Sequence, residues 1–240
     1  MTTSHVVQLP LDIQLKQEAN FDNFWVGENA PVFEAFKMLA GGFHSPQEFQ
    51  ETNYFLWGGE GVGKTHLLQA VCNHVAALNI DCAYIPLAEL MKYQPEVLQG
   101  LEQMRLVCLD DIHCILGRRD WQIAIFHLFN KLRDQGHTLV VSSDQSALHI
   151  PIELADLKSR LSWGLTFKLD PLSEQGAKDL LIDQSLKRGL EMTEEVADYI
   201  ISRARRSAPE LIETLDALDL ASLSAKRKLT RPFVKEVLGW

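Results

Sequence analysis

The chain has 240 residues, a hydrophobic fraction of 46% and a formal net charge of −9. This composition excludes a largely disordered chain and predicts one large domain or two small ones, without a broad basic surface for sequence-specific DNA binding. No apolar run approaches the ~18 residues of a membrane span and the N-terminus lacks a signal-peptide pattern, so we expect a cytoplasmic protein with no membrane partner.

The first 20 residues show no sustained helical or strand period, and we expect a flexible tail there. Within this tail, QLPLDI at residues 8–13 places apolar side chains at alternating positions behind a glutamine. An extended peptide of this kind can insert its amide into a polar slot and its apolar side chains into a greasy pocket of a partner. The residues alone fit equally well a strand that packs on this chain's own sheet. The positions concerned are Gln8, Leu9, Leu11 and Ile13.

Residues 21 to about 170 alternate short apolar strands with segments of helical spacing. The predicted strands are YFLW, CAYI, RLVCLDDI, HTLVVSSD and LTFKL. The predicted helices between them are PVFEAFKMLAG, THLLQAVCNHVAAL and WQIAIFHLFNKLRDQG, and Gly136 is a suitable stop for the last one. This alternation predicts an α/β domain with a mostly parallel sheet that is covered on both faces.

Beyond Pro171 the strand patterns cease and four helical segments follow. They are SEQGAKDLLIDQSLKRG, TEEVADYIISRARR, SAPELIETLDALDLASLSAKRK and TRPFVKEVLGW. Ser173 is a good N-cap for the first, and Ser207 with Glu210 forms a capping box for the third. Residues 171–240 are therefore predicted to form a separate four-helix domain.

The segment GGEGVGKT, between the first strand and its helix, matches the phosphate-loop pattern G-x-x-x-x-G-K-[ST]. Its glycines allow backbone N–H groups to surround phosphate oxygens without Cβ clashes. Lys64 would reach the β- and γ-phosphates, the Thr65 hydroxyl would bind Mg²⁺, and the helix dipole would favour the anion. The predicted nucleotide-binding residues are Gly58, Gly59, Glu60, Gly61, Val62, Gly63, Lys64, Thr65 and His66, although His66 alone is more typical of a helix-packing residue.

RLVCLDDI supplies two carboxylates at the end of an apolar strand. Beside a phosphate loop, such carboxylates hold Mg²⁺ and orient an attacking water. We predict that Asp110 serves the metal with Thr65 and that Asp111 is a weak base that activates water. Strands often end in aspartate, so the assignment depends on the neighbouring loop.

These two motifs resemble those of the AAA+ ATPases, in the bacterial replication-initiator branch of the DnaA family. VVSSDQSALHI resembles the sensor-1 strand and implies that Asp144 senses the γ-phosphate. LKSRLSWGLTFKL is similar to the box VII stretch and implies that Arg160 is an arginine finger. The resemblance covers most of the chain, from FDNFWVGENAPVFEAF onward. It implies an AAA+ P-loop base at residues 21–170 and a helical lid at residues 171–240.

Two departures from the DnaA pattern bear on activity. The sequence stops at Trp240, just after the fourth lid helix, so we expect no DNA-reading domain. The place of the sensor-2 arginine is taken by Pro209, which has no charge to offer the γ-phosphate. We therefore expect weak or no ATPase of its own and a bound ADP, or another nucleoside diphosphate, with Mg²⁺. Arg205 or Arg206 could replace the missing arginine, although a solvated lid surface is the expected role of both.

Within the N-terminal tail, QLPLDI resembles the peptide that docks on the bacterial sliding clamp. A DnaA-like ATPase with this peptide resembles the regulatory inactivators of the DnaA/Hda family. This resemblance implies two partners, the DNA polymerase III β sliding clamp and DnaA, with homo-oligomers through AAA+ surfaces as a further possibility. It implies negative regulation of replication initiation, in which Arg160 acts on the ATP bound by DnaA.

Three alternatives remain open from the sequence. The chain could be an autonomous ATPase of the clamp-loader type, which turnover by the isolated protein would reveal. It could be a helicase-loader adaptor, which has no need of QLPLDI. A small-molecule kinase would require several arginines in a substrate lid and leaves SRLSWG unexplained. The four cysteines fit no zinc pattern and are predicted to be reduced core residues.

Overall fold

The computed structural model describes residues 19–43 and 51–240. The predicted clamp-binding residues Gln8, Leu9, Leu11 and Ile13 lie outside this part of the chain. The chain divides into two compact units. One contains Lys64–Leu169 and most of the described residues before Gly59, and the other contains Trp25–Ala30, Glu60–Gly63 and Asp170–Trp240. No helix within the described ranges has both the length and the apolar character needed to cross a membrane.

The first unit is built on a parallel sheet of five strands in the order β2-β3-β4-β1-β5. This order confirms the predicted α/β architecture. The phosphate loop follows β1, and β3 ends at Asp110 with Asp111 directly after it. Because β4 lies between these two parallel strands, the carboxyl ends of all three lie at the same end of the sheet. The strands are β1 (Asn53–Trp57), β2 (Cys82–Pro86), β3 (Leu106–Asp110), β4 (Thr138–Ser143) and β5 (Leu165–Lys168).

Burial follows the position of each strand in the sheet. Every residue of β3 and β4 is buried, as expected for central strands covered on both faces. β5 lies at the sheet edge and is largely exposed. The register aligns Leu109 with Val141 and Trp57 with Ser143, so the carboxyl ends of β3, β4 and β1 lie side by side.

The helices of the first unit pack their apolar faces on this sheet. In α4 the buried residues Trp121, Ile125, Leu128 and Leu132 recur at helical spacing and join the core. Gly136, with φ +69°, ends this helix as predicted. The helices are α1 (Ala30–Gly42), α2 (Lys64–Ala77), α3 (Leu87–Leu90), α4 (Arg119–Asp134) and α5 (Ala155–Leu161).

The four predicted helices of the second unit are present. Each begins at a hydroxyl residue whose side chain accepts the backbone N–H three positions later, at Ser173, Thr193, Ser207 and Thr230. The helices are α6 (Glu174–Lys187), α7 (Glu194–Ile201), α8 (Ala208–Ala225) and α9 (Arg231–Leu238). The segment TEEVADYIISRARR is helical only to Ile201, because the chain turns before the cap at Ser207.

The cysteines are free thiols, as predicted, but only two of them are core residues. Cys72 and Cys108 are buried, whereas Cys82 and Cys114 are half-buried. Hydrogen bonding to the Cys108 thiol and burial hold the pKa of Cys72 well above its usual range. A thiol held in its neutral form is a poor nucleophile, which is consistent with a structural role.

Candidate nucleotide-binding site

The phosphate loop joins β1 to α2, and its backbone requires glycine. Gly61 and Gly63 have φ values of +74° and +102°, a region that other residues rarely adopt. A Cβ on Gly61 would also lie only 2.6 Å from Cβ of Ser207. The N–H of Gly58 donates to the carbonyl of Ser143 at 3.2 Å, which fastens the start of the loop to β4.

Lys64 opens α2 and points its ammonium back into the loop. Its side chain is only 7% exposed, and Nζ donates to the carbonyl oxygens of Gly58 and Gly59 at 2.9 Å each. A buried cation is stable only when it is paired, and neutral carbonyls are weaker partners than a phosphate oxygen. The ammonium is therefore held within the loop, where a phosphate oxygen could replace the carbonyls as its partner.

Asp110, at the end of β3, is the centre of a buried hydrogen-bond network. Its Oδ2 accepts from Thr65 Oγ1 and from the hydroxyl of Tyr84, both at 2.7 Å. The hydroxyl of Ser142 donates to its other oxygen. The structure thus brings together Thr65 and Asp110, the two predicted magnesium ligands. The sequence analysis missed Tyr84 and Ser142, and the only sequence signal for them was a polar side chain within a predicted strand.

The donor set of this network suits a hard cation. Mg²⁺ usually binds one or two carboxylates together with substrate phosphates, and it keeps several waters. The carboxylate of Asp110 and the hydroxyl of Thr65 provide oxygens of this type beside the phosphate loop. Burial, followed by the charge of Asp110, raises the pKa of Tyr84, so its phenol keeps its proton and continues to donate.

Asp111 leaves the strand with a left-handed backbone, at φ 59° and ψ 57°. Aspartate is one of the few residues besides glycine that adopt this region, because its short polar side chain can hydrogen-bond locally. Its N–H donates to Ser142 Oγ at 2.8 Å. Burial, and then the neighbouring Asp110 carboxylate, raise the pKa of Asp111. The predicted base therefore follows the predicted metal ligand directly, and its backbone is held by β4.

His113 connects the predicted base to the predicted sensor. Its Nδ1 lies 3.9 Å from Oδ1 of Asp111 and 3.5 Å from Oδ1 of Asp144. The structure therefore places these two carboxylates on either side of one imidazole. His66, in contrast, contacts other residues of the chain. Its Nε2 lies 3.0 Å from the carbonyl oxygen of Asn20, and its ring packs edge-on against that of Phe24.

The region of the missing sensor-2 arginine lies at the start of α8. Ser207 caps this helix and Pro209 occupies its first turn. Arg206 pairs with Glu174 at 3.1 Å, and Arg205 lies 3.8 Å from Glu210. Both guanidiniums thus have carboxylate partners within their own unit.

Arg160, the predicted arginine finger, lies in the last turn of α5, a helix that the sequence did not predict. Its guanidinium carbon is 4.1 Å from the ring centroid of Trp163. Within the described ranges it forms no ion pair, neither with Asp156 nor with any other carboxylate. The side chain amide of Asn53 donates to the carbonyl of Arg160 at 3.2 Å and also to that of Trp163.

Comparison with known proteins identifies the family. Residues 15–168 match the model of the bacterial DnaA ATPase domain, and residues 174–238 match the lid domain of Hda. Domain III of the Thermotoga maritima replication initiation protein DnaA is 24% identical with a TM-score of 0.76, over 92% of this chain and 95% of that one.

Two further solved structures share the fold. AMPPCP-bound DnaA from Aquifex aeolicus is 24% identical with a TM-score of 0.76, over 92% of this chain and 70% of that one. The RuvB Holliday junction branch migration motor of Thermotoga maritima is 15% identical with a TM-score of 0.70, over 94% and 73% of the two chains. These likenesses establish the AAA+ fold, and the matched family models show that the chain belongs to the DnaA/Hda family, with a bacterial DnaA ATPase domain followed by a lid of the Hda type.

Proposed function

We propose that this protein is a negative regulator of bacterial chromosomal replication initiation. Tethered to the sliding clamp on DNA, it stimulates hydrolysis of the ATP bound by DnaA and leaves inactive ADP-bound DnaA. The observation that carries this proposal is Arg160, an arginine without a carboxylate partner in the described structure, on a segment similar to box VII. The Hda-type lid supports the same conclusion. In this proposal residues 1–20 form the tether, residues 21–170 the AAA+ base and residues 171–240 the lid.

The chain's own nucleotide is proposed to be ADP or another nucleoside diphosphate. Lys64 would exchange its two carbonyl partners for phosphate oxygens, and Thr65 and Asp110 would hold Mg²⁺. The metal supplies positive charge that neutralises the phosphates. Pro209 brings no cation to a γ-phosphate, and Arg205 and Arg206 have carboxylate partners. We therefore infer weak hydrolysis at this site and a structural role for the bound nucleotide.

The proposed chemical step occurs in the site of DnaA. As the γ-phosphoryl group departs, negative charge develops on its oxygens, and a guanidinium placed beside them lowers the barrier. Arginine fingers supplied by a partner are worth about 10³–10⁵ in rate in other nucleotide hydrolases. Arg160 would provide this charge, and it has no carboxylate partner to leave first within the described residues.

The proposed tether is QLPLDI, at Gln8 to Ile13. An extended peptide docks on a partner through an amide in a polar slot and alternating apolar side chains in a pocket. Each well-buried leucine or isoleucine contributes roughly 1.5–3 kcal/mol, part of which is offset by the ordering of the tail. Binding in the micromolar range, about −8 kcal/mol, is the expected affinity.

An autonomous AAA+ ATPase of the clamp-loader or helicase-loader type is the alternative. It is favoured by the complete set of predicted catalytic groups, since Lys64, Thr65 and Asp110 share one site and Asp111 and Asp144 flank His113. Steady turnover of ATP by the isolated chain would support this alternative.

Single-turnover release of phosphate from ATP-loaded DnaA tests the proposal. The reaction is run with clamp loaded on DNA, with and without this protein, and with free clamp as a control. We expect acceleration only when the protein and DNA-loaded clamp are both present. No acceleration under these conditions, or ATP turnover by the protein alone at a similar rate, contradicts the proposal.

A further inference from the structure

Trp163 is an exposed aromatic residue at a point where the fold gives it no core to fill. It lies just beyond α5, and 49% of it is accessible to solvent. Large aromatic side chains usually bury most of their surface, so an exposed tryptophan needs an explanation other than packing. A contact with a neighbouring residue supplies this explanation, because the guanidinium of Arg160 lies over the ring of Trp163.

The contact between these two side chains is close. The guanidinium carbon of Arg160 lies 4.1 Å from the ring centroid of Trp163, well within the ~6 Å range of a cation–π interaction. Arginine has several rotatable bonds and is otherwise free to sample many rotamers when it lacks an ion-pair partner. A guanidinium held against an aromatic ring does not use its N–H donors in this contact, so they remain available for an anion.

The backbone on both sides of the ring is also fixed. Asn53 is only 6% exposed, and its amide donates to the carbonyls of Arg160 and Trp163. Gly164 has φ +82°, and a Cβ there would collide with the carbonyl oxygen of Asn53. The backbone that carries the indole is therefore attached to β1 through a short and tightly packed connection.

We propose that Trp163 is the positioning residue for Arg160. The indole holds the guanidinium of the half-buried Arg160 in one orientation before the partner arrives, so that it meets the terminal phosphate of the partner's nucleoside triphosphate without a search among rotamers. This inference rests on the proposed function, since it concerns the same guanidinium. It goes further by assigning the geometry of the finger to a residue that does not touch the phosphate.

Arg133 provides an internal comparison. Its guanidinium carbon is 5.9 Å from the same ring, but its Nε and Nη2 donate to Oδ1 of Asp134. A guanidinium that is already bound to a carboxylate is a poor ligand for a phosphate. If the ring acts through Arg160, removal of Arg133 has little effect.

The test is a saturation series in the single-turnover assay with ATP-loaded DnaA and clamp on DNA. Trp163→Leu is expected to lower the maximal rate about tenfold or more, while the concentration for half-maximal stimulation stays within about twofold. Trp163→Phe retains a ring for the guanidinium and is expected to restore most of the rate. Arg133→Ala is expected to behave as wild type. Trp163→Gln replaces the leucine variant if the latter does not fold.

The outcomes separate this inference from the proposed function. Arg160→Ala is measured in parallel, and stimulation that survives this change overturns the proposed function itself. Loss of stimulation in Arg160→Ala, with a wild-type rate in Trp163→Leu, overturns only the positioning role. If Trp163→Leu raises the concentration for half-maximal stimulation at an unchanged maximal rate, Trp163 is a docking contact and the positioning role is wrong. If Arg133→Ala lowers the rate as much as Trp163→Leu does, the ring acts through Arg133 and the inference is also overturned.

A second measurement does not depend on DnaA. The Nε–Hε resonance of Arg160, assigned by its loss in Arg160→Lys, is expected to be shifted by the ring current of Trp163 in the isolated protein. Trp163→Leu should return this resonance to the position of unstructured arginines. An Arg160 resonance that does not respond to Trp163→Leu overturns the inference whatever the hydrolysis assay shows.

Discussion

At the scale of single residues, Lys64 provides the most direct test of nucleotide binding. Its buried ammonium is held by two loop carbonyls, and a phosphate would replace them with charge-assisted hydrogen bonds worth roughly 1.5–3 kcal/mol. Lys64→Ala should therefore weaken ADP binding by roughly 10–150-fold at 25 °C. Titration of labelled ADP measures this change, with Lys187→Ala, an exposed lysine paired with Asp183, as the matched control. Equal affinities of wild type and Lys64→Ala would remove the nucleotide site from this loop.

Asp110 provides the test of magnesium binding at the candidate site. Asp110→Asn keeps the size of the side chain but removes the negative charge that faces Thr65 and Tyr84. We expect chelation of Mg²⁺ to weaken ADP binding in the wild type and to have a much smaller effect in Asp110→Asn. The measurement is the ratio of ADP affinities with Mg²⁺ and with EDTA. The same ratio in both proteins contradicts a metal at Asp110.

Motif spacing in the sequence pointed to those residues of the candidate site that belong to short local patterns. Lys64, Thr65 and Asp110 could be predicted because each belongs to a local pattern with its own chemistry. Tyr84 and Ser142 could not, because they reach Asp110 from neighbouring strands, and a single sequence does not record which strands are neighbours. Sheet order, which decides these contacts, is a property of the packed chain.

At the scale of elements, the contact between β1 and the end of α5 sets the position of Arg160. Asn53→Ala removes the side-chain amide that donates to the carbonyls of Arg160 and Trp163, which should cost about 2 kcal/mol of folding stability. Denaturant unfolding measures this loss, and Gln175→Ala on the exposed surface of α6 is the control. An unchanged unfolding midpoint for Asn53→Ala is incompatible with this role of the amide.

The long elements were predictable, and the short ones were not. The five strands and the helices α2, α4, α6 and α8 have apolar periodicity, caps or glycine stops that the sequence displays directly. α5 has seven residues and only two buried side chains, so its period is too short to recognise. The overlong prediction for α7 has a similar cause, because the arginines after Ile201 are compatible with a helix until Ser207 begins the next one.

At the scale of the whole molecule, the proposed function combines an AAA+ fold with QLPLDI as a clamp-binding tether. Gln8→Ala combined with Leu11→Ala should abolish retention on clamp-loaded DNA, because the amide contact and one apolar contact are lost together. The matched control is Gln14→Ala with Leu15→Ala, which changes the same residue types outside QLPLDI. Retention of the first double variant, or equal loss in both, argues against QLPLDI as the tether.

The central claim is that Arg160 acts on the ATP of another protein. The direct measurement is single-turnover phosphate release from ATP-loaded DnaA, with clamp on DNA and a saturating amount of this protein or its variants. Arg160→Ala should keep ADP and clamp binding yet lose stimulation, by a factor of up to about 10³–10⁵. Arg160→Lys should fail nearly as badly, because an ammonium cannot reproduce the planar two-pronged contact of a guanidinium. Stimulation by Arg160→Ala at the wild-type rate would contradict the account.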